Sequence, residues 1–192
     1  MNDQLDFKIA QKIYMTKILM SFYDCSLADP DTKALILDVL RKIVLLVQPC
    51  YDVIRSHGLV LWLISTLRQQ PPLEVLSKMI DILRTAWNTI KKDIDGKDDK
   101  VVPLTVAQDF IVGLLAFIHK SKVVYSRDLT LTSLKTLSSI LGSVSDADGA
   151  IPTAIKHMLN AATMKEVEDR CKSGSNTLIQ KEIDGIRSKL IM

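Results

Sequence analysis

The chain is poor in aromatics, in turn-forming residues and in cysteine. Aromatics make up 5% of its 192 residues, and it has only 7 glycines and 6 prolines. A β-sandwich or barrel would need more turn residues than this. The 3 cysteines, Cys25, Cys50 and Cys171, are odd in number and far apart, with no C-x-x-C pair. Neither a zinc site nor a disulfide framework is indicated, and reduced thiols are expected. The formal net charge of +3 is close to neutral for this length, which excludes the overall basic field of a dedicated nucleic-acid binder. Long apolar runs are missing too. Arg41-Lys42 interrupts one and Arg68 ends another, well short of a bilayer span. Met1 is followed by Asp3 and Asp6 with no basic segment ahead of an apolar one, so no signal peptide and no membrane association are expected.

What remains is a chain that is 47% hydrophobic, dominated by Leu and Ile, with a mean hydropathy of +0.17. The apolar surplus belongs to a core or an interface. Its spacing is helical throughout. From Asp3 to Asp24, Leu5, Ile9, Ile13 and Met20 form one row, and Phe7, Tyr14, Ile18 and Phe22 another. Asp29-Pro30-Asp31 supplies an N-cap acceptor, a proline at N1 and a first-turn carboxylate. The helix it opens carries Leu35, Ile36, Val39, Leu40, Ile43, Val44 and Val47, and stops before Pro49.

The segment from Pro49 to Ile94 organises the rest. It predicts a short helix over Tyr51–His57, a left-handed corner at Gly58, and an interior helix from Leu59 to Leu67, apolar nearly all round. After Pro71-Pro72 an amphipathic helix runs from Leu73 to about Ile94. It carries Leu76, Met79, Ile80, Leu83, Trp87 and Ile90 on one face. Asp95 to Val102 reads as a polar loop closed by Pro103. Further helices are predicted to about Lys120, with Gly113 at a close packing point, and from Leu129 to about Ser143. Beyond Gly149 the pattern weakens into three short helices, 150–160, 164–171 and 178–190, the last two split by Ser173-Gly174-Ser175. Helix pairs and triplets in tandem predict an all-α, armadillo/HEAT-like α-solenoid of antiparallel helices. The expected organisation is a helical-repeat domain over 1–145 and a C-terminal helical cap or partly ordered arm over 146–192.

Chemistry is sparsely written. There is no G-x-S-x-G, P-loop, H-E-x-x-H or EF-hand register. The acids of Asp93-Ile-Asp95-Gly-Lys-Asp98-Asp99 miss the calcium-loop positions, and a solvated loop explains them. His57, His119 and His157 each fall near a predicted helix end, where an imidazole serves the last carbonyls. No catalytic residue, cofactor, metal or small-molecule substrate is expected. Trp62 and Trp87, with Gly58, are read as fold determinants. An exposed, peptide-gripping role for either tryptophan is the competing possibility. Lys91, Lys92, Lys97 and Lys100 form the charge feature to single out, a candidate contact for RNA or an acidic partner. Solvation is the ordinary explanation, since Asp93, Asp95, Asp98 and Asp99 dilute the field. Lys120, Lys122 and Arg127 form a smaller cluster.

The string Cys50-Tyr-Asp-Val-Ile54-Arg-Ser-His-Gly58-Leu-Val-Leu-Trp62-Leu-Ile-Ser65, continuing through Leu83-Arg-Thr-Ala-Trp87, resembles the C-terminal region of the nucleolar pre-ribosomal-associated protein family (the Urb/Npa type). The resemblance extends loosely to the helices at 29–47 and 109–140. It implies a non-enzymatic scaffold of the nucleus and nucleolus in early large-subunit (pre-60S) assembly and pre-rRNA processing. The implied partners are other pre-60S assembly proteins and pre-rRNA. Family members are much longer, so this chain is expected to be a C-terminal portion or truncated product of such a protein. A generic armadillo/HEAT adaptor gripping an extended peptide in a concave groove is the alternative; it predicts exposed Asn and Trp side chains laddered along one face.

Overall fold

The computed structural model describes residues 15–46, 54, 58–67, 69, 71–95, 102–120, 127–145, 150–171 and 177–191. Among these all regular structure is helical: α1 (Met15–Asp24), α2 (Pro30–Leu46), α3 (Leu59–Leu67), α4 (Leu73–Asp95), α5 (Leu104–Lys120), α6 (Arg127–Val144), α7 (Thr153–Met158), α8 (Ala161–Cys171) and α9 (Thr177–Ile191). No helix among the described residues is long and apolar enough to cross a membrane. The chain divides into two compact units, Met1–Lys100 and Val101–Met192.

The first unit is built on α2 and α4, which pack along one another, with α1 against α2 and α3 touching α4. Asp29 starts α2 as its sequence requires. Its Oδ1 accepts the Thr32 backbone N–H at 2.6 Å, and that bond is the main cause of a carboxyl pKa below the ordinary range. The buried side of α2 is Ala34, Ile36, Leu37, Leu40 and Val44. Opposite them α4 buries Val75, Met79, Ile80, Ile82, Leu83, Ala86, Trp87 and Ile90. The Lys78–Asp38 ion pair, at 2.6 Å, ties the two helices across the edge of that seam.

Two expectations are corrected here. Leu35 and Val39 belong to the outward side of α2, 64% and 37% exposed. The predicted row was broader than one packed face. The helix α3 is not interior either: Leu61 is 62% exposed, Ser65 is exposed, and Trp62 is half-buried. Only Leu59, Val60, Leu63, Thr66 and Leu67 are covered.

In the second unit α6 takes the central place, packed by α5 and by α9, with α8 against α5 and α9. Its buried residues Leu129, Thr130, Ser133, Leu134, Thr136, Leu137, Ile140 and Leu141 lie together along one broad side. Ser133 and Thr136 are tolerated inside because each hydroxyl donates to a carbonyl four residues back, at 2.9 and 2.8 Å. Pro103 opens α5, its carbonyl accepting the N–H groups of Val106 and Ala107. Asn160 joins α7 to α8. Its Oδ1 accepts the Thr163 N–H at 3.0 Å, while its Nδ2 donates to the His157 carbonyl at 3.1 Å. Lys189 of α9 reaches α6, donating to Ser138 O and Oγ at 2.9 Å each, beside Gly142.

Candidate interaction surfaces

The corner at Gly58 adopts φ +65°, the left-handed conformation that a side chain disfavours, and a Cβ added there would meet nothing within 4 Å. The glycine carbonyl accepts the Trp62 N–H at 2.9 Å, so the corner leads directly into the first turn of α3. The preceding Tyr51–His57 helix, His57 included, lies outside the described residues except for Ile54, which is helical and buried.

Trp62 is fixed by two contacts with α1. Its Nε1–H donates to Asp24 Oδ2 at 2.9 Å, and its ring meets Tyr23 edge-to-face with centroids 5.1 Å apart. Lys33 of α2 places its ammonium 5.1 Å from the centre of the Tyr23 ring. Burial, and secondarily the adjacent Asp24 charge, pushes the Tyr23 phenol up to about 12. This cluster binds α1, α2 and α3 together.

Trp87 has the opposite fate. It is fully buried, at 0% exposure, between Ala86, also buried, and Asn88, which faces solvent. A tryptophan in the core cannot grip a peptide in a groove. Groove binding through Trp87 is therefore excluded, and of this pair only Asn88 is exposed as such a ladder would need.

Lys91 and Lys92 are exposed on the last turns of α4. Arg84, paired with Asp81 at 2.8 Å, shares their solvent side together with Asn88, which sequence reasoning left out of the cluster. Lys97 and Lys100 lie outside the described residues, as do Lys122 and the Lys120 side chain, while Arg127 is exposed at the start of α6.

The histidines divide similarly. His157 lies in the last turn of α7. His119, in the last turn of α5, brings Nδ1 to 3.2 Å from Glu166 Oε1 on α8, and Arg170 approaches the same oxygen at 3.7 Å. Glu166 is half exposed, and the arrangement is a polar contact between α5 and α8 at the surface. A neighbouring pair, Arg187–Glu168, joins α9 to α8. No group of three or more His, Cys, Asp or Glu side chains among the described residues could hold a metal ion. Cys25 is a free, exposed thiol.

One curated protein shows similarity over part of the chain. Nucleolar pre-ribosomal-associated protein 1 of mouse (Mus musculus) is 26% identical over 88 residues, which is 45% of this chain. The chain spans about 4% of the length of that relative. No family model matches, and no solved structure does.

Proposed function

We propose that this chain is a non-enzymatic scaffold of armadillo/HEAT-like helical repeats that serves early large ribosomal subunit (pre-60S) assembly and pre-rRNA processing. It acts in the nucleolus through contacts with other assembly proteins and, at Lys91, Lys92, Lys97 and Lys100, with pre-rRNA. The observation that carries the reading is the similarity to nucleolar pre-ribosomal-associated protein 1 over 88 residues. The all-helical architecture of the described residues is consistent with it, since stacked helices offer extended binding surfaces. The groove-binding adaptor is the weaker reading because Trp87 is enclosed in the core.

Immunoprecipitation of the endogenous protein under low-salt conditions tests this. Precursor rRNA and pre-60S assembly proteins are the expected co-precipitate, with nucleolar staining in intact cells. Recovery of neither, together with a diffuse cytoplasmic distribution, refutes the proposal.

A further inference from the structure

The outward side of α2 is too apolar for a surface that faces only water. Leu35 is 64% exposed, Val39 37%, Leu45 53% and Leu46 51%, and Lys42 is exposed among them. Positions 35, 39, 42 and 46 recur at the four- and three-residue intervals that place side chains in one row. The row spans about 16 Å at 1.5 Å per residue. Scattered exposed leucines need no explanation, but three apolar side chains sharing a row with one lysine, on a helix whose other side is already packed, mark a contact surface.

We propose that this face pairs with the same face of a second copy of the chain, the two α2 helices running antiparallel about a two-fold axis between residues 40 and 41. The charges choose this arrangement. A parallel pair would set Lys42 against Lys42 of the second copy. An antiparallel pair centred on residue 38 would oppose two Asp38 carboxylates. With the axis between 40 and 41, Leu35 meets Leu46 of the second copy at both ends, and Val39 lies on the aliphatic stem of the opposite Lys42. The Lys42 ammonium then reaches the level of Asp38 in the second copy, a carboxylate that is 42% exposed and already holds Lys78. Each contact recurs by symmetry, as an isologous interface requires. A lone cation within an apolar seam also fixes register, because any slip buries it against hydrocarbon.

Analytical ultracentrifugation of the full 192-residue chain, from low micromolar to several hundred micromolar, reads the association directly. A monomer–dimer equilibrium is expected, with Leu35→Glu raising its dissociation constant by about tenfold or more. The helical circular dichroism should stay unchanged, since Leu35 points away from α4. Register is tested by cross-linking in a chain whose three cysteines are replaced by serine. Leu35→Cys with Leu46→Cys should oxidise to a linked dimer. Leu35→Cys alone should not, because in this register its two copies stand about 16 Å apart, beyond disulfide reach. A monomer at every concentration overturns the proposal and leaves the face to a different partner. A dimer indifferent to Leu35→Glu, or one linked equally well through Leu35→Cys alone, overturns it too.

Discussion

Substitution at Gly58 separates backbone conformation from crowding, because the structure removes one of the two explanations in advance. A Cβ at this position meets no atom within 4 Å, so any penalty must come from holding φ at +65°. For an L-residue the left-handed region costs about 1–2 kcal/mol. Replacing glycine also reduces the freedom of the unfolded chain, which returns about 0.4–1 kcal/mol. Gly58→Ala should therefore destabilise by about 1 kcal/mol net. Gly58→Asn should cost less, since asparagine tolerates the left-handed region. Gly58→Val should exceed 2 kcal/mol, roughly, because a β-branched side chain there is a true outlier. Both tryptophans, Trp62 and Trp87, lie between residues 1 and 100, so intrinsic fluorescence reports on the unit that contains Gly58. For a unit of this size each kcal/mol moves the midpoint by about 4–8 °C. The expected order is glycine, asparagine, alanine, valine from most to least stable. Identical melting of the glycine and alanine proteins, or an asparagine variant as weak as valine, would refute the dihedral argument.

The two tryptophans should respond unequally. Trp87→Ala empties a fully buried site and should cost about 3–5 kcal/mol in urea denaturation. Trp62→Ala should cost about 2 kcal/mol, from one edge-to-face pair and one exposed hydrogen bond; equal losses would mean that α3 is interior after all. Tyr23 predicts a high-pH limb. Its phenol is raised in the folded protein, so its contribution is complete below the unfolded value near 10 and is lost as pH climbs toward about 12. Tyr23→Phe should flatten that part of the stability profile. Asp29 acts at the other extreme. Its lowered carboxyl stabilises the fold above the unfolded carboxylate pKa, and the contribution disappears as acid protonates the cap. Asp29→Ala should remove that acid sensitivity and fray the start of α2, measured as lost amide protection at Thr32. In the second unit, Leu137→Ala at a fully buried position of α6 should cost about 2–5 kcal/mol by circular dichroism.

Helix ends were the most legible feature of the sequence, because capping is local chemistry. Asp29-Pro30, Pro103 and Gly58 each act on a backbone only a few residues away, and each lies where its residue type demands. Asn160 shows the limit of the same logic. The sequence predicts the break after it, but its side chain caps the next helix directly, so α8 begins at Ala161 rather than at Met164. Burial was less legible. The hydroxyls of Thr66, Thr89, Ser133 and Thr136 look polar in a one-dimensional pattern, but each is satisfied by a carbonyl four residues earlier and so enters the core. The covered side of α6 is accordingly wider than its leucines alone suggest. On α2 the difficulty was reversed. Two apolar rows, one carrying Ile36, Leu40 and Val44 and the other Leu35, Val39 and Leu46, are both hydrophobic enough to be core, and only the position of α4 decides between them.

That ambiguity explains why interaction surfaces were hardest to read. Consecutive residues on a helix are separated by about 100°, so Ala86, Trp87 and Asn88 span most of the circumference of α4. The same tripeptide presents tryptophan to a groove or to the core according to the phase at which the helix is seated. Here the seating is fixed by Met79, Leu83 and Ile90, which bury one side and carry Trp87 inward with them. Asn88 and the nearby Lys91 and Lys92 are then left facing solvent. The phase is a property of the packed pair α2–α4, not of the tripeptide. A motif that names a binding residue acquires that meaning only after the core has decided which side of its helix remains uncovered.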